Sequence, residues 1–194
     1  MSSVKFADKF LIKSNRLQDW DYTTPANYFV TICTLNHNNF FGKIQNEKMV
    51  YSDMGKKCQH CLVQIENHFT NVKISEWVIM PNHIHFIIKI INKNQSKING
   101  NCRDVACYVS TSNNNTPLSP QQYFSNISPK PNSLSTIIRS FKSAVSTSIN
   151  KKKLFFAWQP RFFDHIIQDK KEYYAIQQYI RDNIGNWLID PYHF

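Results

Sequence analysis

The stretch from residue 72 to residue 91 constrains the fold most, because it holds two apolar segments separated by a turn. The segments VKISEWVIM and HIHFIIKII flank Pro81 and Asn82. This pattern predicts strands at 72–80 and 83–91 that pair as a β-hairpin. Because side chains alternate between the faces of a strand, His83 and His85 share one face. The two imidazoles are therefore either structural histidines or two ligands of one metal ion.

The remaining periodic segments predict an α+β fold around this hairpin. Their apolar spacing switches between the period of a strand and that of a helix. The order β-α-β-β-α-β-α begins with the ferredoxin-like split βαβ pattern, which has an antiparallel sheet with helices on one face. In chain order, the predicted elements are a strand at 28–35, a helix at 52–69, strands at 72–80 and 83–91, a helix at 133–150, a strand at 155–169 and a helix at 171–187.

Length and composition favour a single domain with one insertion. The chain has 194 residues, of which 42% are hydrophobic, and this is enough for one packed core. Residues 92–132 differ from the rest, because they are rich in Asn, Ser, Gln and Pro and include the tract STSNNNTPLSPQQ. Core-like segments lie on both sides, so we predict one domain over 1–194 that carries a low-complexity insertion at 92–132.

Charge and cysteine usage favour a protein that binds nucleic acid and resides in a reducing compartment. The formal net charge of +10 favours a polyanionic ligand such as nucleic acid, although a Lys-rich bias would give the same value. Five cysteines form an odd, scattered set, which is typical of a reducing compartment; Cys58 and Cys61 form a CxxC, but a second pair for zinc is missing. With no long apolar run and no signal sequence, we predict a cytoplasmic protein of bacterial type without membrane association, held at the nucleoid when bound to DNA.

The last predicted helix carries a phenol and an amide on one flank. At 100° per residue, Tyr179 and Asn183 are four positions apart and therefore adjacent on the helix surface. They lie beside the apolar stripe rather than on a uniformly polar face. A tyrosine in such a helix most often packs against the core, so this pair alone does not indicate chemistry.

Taken together, these segments resemble a known enzyme family. VIMPNHIHFIIKI is similar to the histidine–hydrophobic–histidine strand of the IS200-like Y1 (HUH) transposases. DYTTPANYFVTICTLN, IIRSFKSAVS and WQPRFFDHIIQDKKEYYAIQQYIRDN resemble the branch of REP-associated tyrosine transposases. The resemblance runs in order from about residue 16 to residue 187, apart from the insertion.

This resemblance implies a site and a reaction. His83 and His85 would bind Mg²⁺ or Mn²⁺, Asn183 would be a third, amide ligand, and Tyr179 would be the nucleophile. The family cuts single-stranded DNA, often beside a small hairpin, and stays joined to the 5′ end through a phosphotyrosine. Its members form homodimers in which the tyrosine helix can complete the partner's site. A departure is that Ile184 follows Asn183 here, where the family often has proline.

Four basic residues are candidate DNA contacts, and two other functions stay open. Arg139, Lys142 and Lys151 lie off the apolar stripe of the 133–150 helix, and Arg161 follows Trp158; a solvated face is the equally good alternative for the first three. The chain could instead be a non-catalytic nucleic-acid-binding module, or a structure-specific DNA processor that its host keeps without transposition. The sequence identifies neither the general base nor whether Tyr179 acts in cis or in trans.

Overall fold

The computed structural model describes residues 5–6, 9–10, 17, 20–91, 130–151 and 154–193. Residues 92–129, which make up most of the predicted insertion, lie outside these ranges, so the insertion and the single-domain extent stay predictions. The described part forms eight strands: β1 (Lys5–Phe6), β2 (Lys9–Phe10), β3 (Asn27–Cys33), β4 (Gly42–Gln45), β5 (Lys48–Tyr51), β6 (Val72–Ile79), β7 (His83–Ile90) and β8 (Phe163–Ile167). It also forms four α-helices: α1 (Asp53–Val63), α2 (Ile65–His68), α3 (Leu134–Asn150) and α4 (Lys170–Asp182).

A four-stranded antiparallel sheet in the order β6-β7-β3-β8 is the centre of the fold. This order and the sequence of strands and helices confirm the predicted α+β, ferredoxin-like class. The predicted hairpin is β6–β7, and its turn is closed by the Met80 amide, which donates to the His83 carbonyl at 2.9 Å. The register of β7 against β3 sets Cys33 opposite His83 and Thr31 opposite His85.

The helices α1 and α3 cover one face of the sheet. Ser52 caps α1 by accepting from the Gly55 amide, and Ser133 caps α3 by accepting from the Thr136 amide. Alternate residues of β3 and β7 point into this layer, and the buried cluster includes Val30, Ile32, Ile84, Phe86, Ile88, Leu62, Ile138, Phe141 and Val145. This layer is the main core, and burial of its side chains is the main stabilising contribution.

Helix α4 packs on the opposite face of the sheet, over the other set of alternating side chains. A smaller buried cluster joins it to the sheet, formed by Val78, Met80, Ile87, Ile167, Ile180 and Trp187. Asp169 caps the helix by accepting from the Glu172 amide at 2.8 Å. Since His83 and His85 alternate with the main-core residues of β7, they face the same layer as α4.

Two elements have bounds that differ from the sequence predictions. The last helix ends at Asp182 rather than at 187, because Gly185 and Asn186 are poor helix formers, and a short 3₁₀ helix, Trp187–Ile189, follows. The predicted strand at 155–169 pairs regularly only at Phe163–Ile167, because Pro160 lacks an amide hydrogen and Arg161 has a φ of 67°.

The hairpin β4–β5 was not predicted from the sequence. Its two turn residues, Asn46 and Glu47, both have positive φ, of 50° and 56°. This is the backbone of a tight hairpin turn that usually takes Asn-Gly or Asp-Gly, so the sequence lacks the usual signal. In the described part of the chain, every helix is too short or too polar to cross a bilayer.

Candidate metal centre and tyrosine

Two buried histidines lie side by side on the α4 face of the sheet. Because β7 is an interior strand, the side chains of His83 and His85 are only 0% and 1% exposed. Their ring centroids are 4.5 Å apart. Trp187 lies against the first ring at 6.1 Å, and Phe29 stacks on the second ring at 5.3 Å. The predicted shared face of the two imidazoles is therefore what the strand geometry produces.

Asn82 determines which nitrogen of His83 carries the proton. The Asn82 side-chain amide donates to the carbonyls of His37 at 3.2 Å and Tyr192 at 2.7 Å. Its oxygen therefore points to His83 Nδ1, at 2.8 Å, and can only accept there. Nδ1 then bears the hydrogen, and Nε2 has a free lone pair. This Nε2 atom is buried, and no described residue forms a hydrogen bond with it, which is the state expected of a metal-binding imidazole.

His85 is oriented by two hydroxyl groups. Its Nδ1 lies 2.8 Å from Thr31 Oγ1, and its Nε2 lies 3.3 Å from the Tyr179 hydroxyl. With the phenol as donor to Nε2, the ring proton is on Nδ1 and donates to the threonine. The two histidines then present their Nε2 atoms to the same space, each with Nδ1 held by a neighbouring side chain.

Burial keeps both imidazoles neutral. The pKa of His83 is lowered to about 2, mainly by desolvation and also by the positive charges that His85 and His37 would carry. Desolvation alone lowers the pKa of His85 to about 3. A buried cation without a counter-charge is costly, so the neutral form persists at neutral pH. Neutral imidazole is the form that coordinates metals.

Asp190 and Asn183 complete the cluster around the histidines. Asp190 Oδ2 lies 4.0 Å from His83 Nε2 and accepts a hydrogen bond from Asn183 Nδ2 at 3.2 Å. Both side chains are buried, and Asn183 Oδ1 has no hydrogen-bond partner among the residues that the structure describes. The potential ligand atoms of His83, His85 and Asp190 lie within 4.8 Å of one another. We refer to these three residues as the His-His-Asp cluster; their donor atoms suit a divalent cation.

Asp190 is the residue that the sequence reasoning missed. It follows the 3₁₀ helix Trp187–Ile189, beyond the end of the predicted last helix, and no motif marks it. A lone Asp before Pro191 looks like a turn residue. Only the tertiary structure returns it to β7, so no local pattern could have identified it.

Tyr179 lies at the open side of the cluster. Its ring centroid is 5.3 Å from that of His85 and 6.1 Å from that of Phe29, and the side chain is 40% exposed. Burial raises the pKa of Tyr179, and the negative charge of Asp190 raises it further, whereas a hydrogen bond with Asn183 lowers it. The predicted Tyr179–Asn183 pair is thus adjacent, and it faces the two histidines. Their roles stay predictions.

The four predicted DNA contacts are not part of this cluster. Lys142 Nζ donates to the carbonyls of Gln159 at 2.8 Å and Arg161 at 2.9 Å, so its ammonium group ties α3 to the 154–162 segment. Arg139 and Lys151 are exposed on or next to α3, which covers the other face of the sheet, and Arg161 is also exposed. Contacts of these residues with DNA stay predictions.

The cysteine pair offers no zinc site in the described residues. Cys58 and Cys61 lie on α1, and the first of them is fully buried in the main core. Burial raises the pKa of the Cys58 thiol well above its usual value, which disfavours the thiolate that zinc binds. Within the described ranges, no third donor joins them.

The chain is similar in fold to a solved structure and in sequence to a bacterial protein. No protein-family model matches the chain. The structure resembles that of the REP-associated tyrosine transposase bound to a REP hairpin, with a TM-score of 0.55, 16% identity and coverage of 91% of this chain and 74% of that one. The two proteins therefore share a fold. An uncharacterised protein of Haemophilus influenzae (strain ATCC 51907 / DSM 11121 / KW20 / Rd) is 35% identical over 179 residues, which cover 92% of this chain and 91% of the relative. The chain belongs to one family with that Haemophilus protein.

Proposed function

We propose that this chain is a metal-dependent single-stranded DNA transposase and endonuclease that cleaves and rejoins DNA through a 5′-phosphotyrosine at Tyr179. The observation that carries the proposal is the position of the Tyr179 hydroxyl, 3.3 Å from Nε2 of His85 and at the open edge of a buried pair of neutral histidines. A nucleophile beside a Lewis-acid site is what attack on a phosphodiester requires.

The proposed metal ligands are His83, His85 and Asn183, as the resemblance implies. The residues fit a divalent cation, because His83 Nε2 and Asn183 Oδ1 are buried polar atoms that accept no hydrogen bond within the described part of the chain. A cation bound there would polarise the phosphoryl group and stabilise the leaving 3′ oxygen. Two imidazoles suit Mn²⁺ better than Mg²⁺, which prefers oxygen ligands.

The phenol must lose its proton as it attacks. Its pKa is raised by burial and by Asp190, so Tyr179 is protonated at neutral pH. In cleavage, the Tyr179 oxygen gives up its proton to a base and bonds to phosphorus. The bond from phosphorus to the 3′ oxygen breaks, and that oxygen takes up a proton. The reverse reaction with another 3′ hydroxyl rejoins the strand without an external energy source.

The proposed site is assembled within one chain. The contact between Tyr179 and His85 lies inside a single polypeptide, which supports action of the tyrosine in cis. The homodimer that the resemblance implies stays a prediction, and so does the exchange of tyrosine helices between subunits.

The proposed substrate is single-stranded DNA that contains a hairpin. The net charge of +10 favours a polyanion, and the REP-associated tyrosine transposase of similar fold was solved with a REP hairpin bound. Arg139, Lys151 and Arg161 are the exposed candidates for phosphate contacts. Association with the nucleoid would follow from such binding.

The proposal is tested by trapping the covalent intermediate. We expect labelled hairpin-containing strands from the flanks of the gene to give a protein–DNA band on a denaturing gel in the presence of Mn²⁺, and the band to be absent for Tyr179→Phe. Tyr174→Phe is the matched control, because Tyr174 is on the same helix and is 63% exposed. An adduct of equal yield from Tyr179→Phe would refute the nucleophile, and binding without any adduct would favour the non-catalytic binding module.

A second reaction separates a transposase from a DNA processor that only cleaves. We expect the purified adduct to transfer its 5′ strand to an added 3′-hydroxyl acceptor, giving a joined product. Cleavage followed only by hydrolytic release would instead support the processor that its host keeps without transposition.

A further inference from the structure

We propose that Asp190 is an anionic protein ligand of the metal ion, and that Asn183 holds its carboxylate in place. The inference rests on the proposed function only in that this ion is the one that Tyr179 would use. It changes the predicted donor set of two imidazoles and an amide to one that includes a carboxylate. The 3₁₀ helix Trp187–Ile189 and Asp190 would then be part of the active site.

Three acceptor atoms, one each from His83, His85 and Asp190, converge in a buried space. The hydrogen bond from Asn82 places the proton of His83 on Nδ1, so Nε2 presents a lone pair to Asp190 Oδ2, 4.0 Å away. A lone pair and a carboxylate oxygen repel each other across a buried gap unless a proton or a cation lies between them. In the described ranges, His83 Nε2 has no hydrogen-bond partner, and the ligand atom that His85 offers lies within 4.8 Å of those of His83 and Asp190.

The Asp190 carboxylate is buried, and no cationic side chain of the described residues pairs with it. Asp190 is 8% exposed, and in the part of the chain that the structure describes its ion-pair contact is with His83, a neutral side chain. A buried charge without a counter-charge is unfavourable, because water no longer solvates it. A divalent cation would provide that counter-charge.

Hydrogen bonds to both oxygens hold the Asp190 carboxylate in one orientation. Oδ1 accepts from the Tyr192 amide at 2.7 Å, and Oδ2 accepts from Asn183 Nδ2 at 3.2 Å. Trp187, at the start of the turn, is buried against His83, whereas Leu188 and Ile189 are 80% and 81% exposed. The turn is therefore fixed through Trp187 and Asp190 on the site side, rather than by its two intervening apolar side chains.

The distances are those of a site that closes on an ion. Donors bonded to one first-row divalent ion at about 2.1 Å lie about 3 to 4 Å from one another. The separations in the cluster, up to 4.8 Å, need a closure of about 1 Å. Two histidines and one carboxylate are a donor set for Mn²⁺ or Fe²⁺ more than for Mg²⁺, and the carboxylate lowers the net charge of the occupied site to +1.

Isothermal titration calorimetry of the purified full chain with Mn²⁺ tests this ligand assignment without any DNA. We expect Asp190→Asn, which keeps the shape and the acceptor for the Tyr192 amide, to weaken Mn²⁺ binding at least about ten-fold. Asp182→Asn is the matched control, because Asp182 is exposed on the same stretch of chain, and it should bind as the wild type does. Wild-type affinity in Asp190→Asn would overturn the proposal.

A second measurement needs no substitution, in case Asp190→Asn does not fold. Crystals of the wild type grown with Mn²⁺ should show an anomalous difference peak at bonding distance, about 2.1 Å, from Asp190 Oδ2 and from both Nε2 atoms. A peak on the two histidines that lies beyond about 3.5 Å from that oxygen would overturn the assignment.

These results separate the inference from the proposed function. Mn²⁺ binding that depends on Asp190, in a protein that forms no DNA adduct, would support the ligand and refute the transposase. A Tyr179 adduct together with Mn²⁺ binding that is unaffected in Asp190→Asn would do the reverse.

Discussion

The stability of the metal-free protein should fall steeply on mild acidification, because two histidines are buried in their neutral form. The native pKa is about 2 for His83 and about 3 for His85, against an ordinary value of 6.5. Between these values, the unfolded chain binds protons that the native chain does not. The free energy of unfolding therefore decreases as the pH falls below 6.5, and this contribution is fully present only above it.

The magnitude follows from the two shifts. Between pH 7 and pH 5, each imidazole gains about 2 kcal/mol of protonation free energy in the unfolded state and almost none in the native state. The pair should therefore lower the free energy of unfolding by about 4 kcal/mol, a large fraction of the stability of an ordinary domain. Urea unfolding in EDTA, followed by tryptophan fluorescence at several pH values, measures the change.

The variant His85→Gln should lose about half of this pH dependence, since one buried imidazole is gone. A substitution at an exposed histidine, His60→Gln, is the matched control for the loss of an imidazole as such. The reasoning would be refuted if the wild type lost no more stability between pH 7 and pH 5 than His85→Gln does. Saturating Mn²⁺ should raise the free energy of unfolding by a similar amount at pH 7 and at pH 5, because both native imidazoles are already deprotonated over this range and protons do not compete with the metal for their nitrogens.

Three further substitutions follow from single contacts. Asn82→Ala removes the acceptor of the His83 Nδ1 proton and should weaken Mn²⁺ binding about 10- to 100-fold by calorimetry; unchanged affinity would exclude its orienting role. Glu76→Gln removes the carboxylate that accepts from Arg181, which lies on α4 together with Tyr179. This change should slow adduct formation, while the free energy of unfolding measured in urea should fall by only about 0.5 kcal/mol. A fall of several kcal/mol with an unchanged rate of adduct formation would contradict this. Lys142→Met should cost about 1 to 3 kcal/mol in urea, because two carbonyls lose their donor, whereas a purely DNA-binding lysine would leave stability unchanged.

The sheet was predictable because its signals are local. The β6–β7 hairpin follows from two apolar segments around Pro81 and Asn82, and the pattern of α3 is an uninterrupted apolar stripe. The β4–β5 hairpin was missed, because Asn46 and Glu47 adopt positive φ without the glycine that usually marks such a turn. The predicted strand at 155–169 is longer than β8, because the apolar residues before Pro160 pack without regular strand pairing.

The site divides in the same way. That Tyr179 and Asn183 are neighbours follows from helix geometry, and that His83 and His85 share a face follows from strand alternation. That the two pairs meet depends on the packing of α4 on the sheet, which only the family resemblance implied. Asp190 was not predictable at all, because it reaches β7 through a turn whose sequence carries no periodic signal.

The central claim is that Tyr179 forms a phosphodiester bond with the 5′ end of a cleaved strand at this metal centre. Mass spectrometry of the adduct, after nuclease trimming and tryptic digestion, tests it most directly. The peptide 172–181 contains Tyr173, Tyr174 and Tyr179, and fragmentation distinguishes them. We expect a nucleoside phosphate on Tyr179 alone, formed only when the metal is present. The same added mass on Tyr173 or Tyr174, or on Tyr179 in the presence of EDTA, would contradict this assignment.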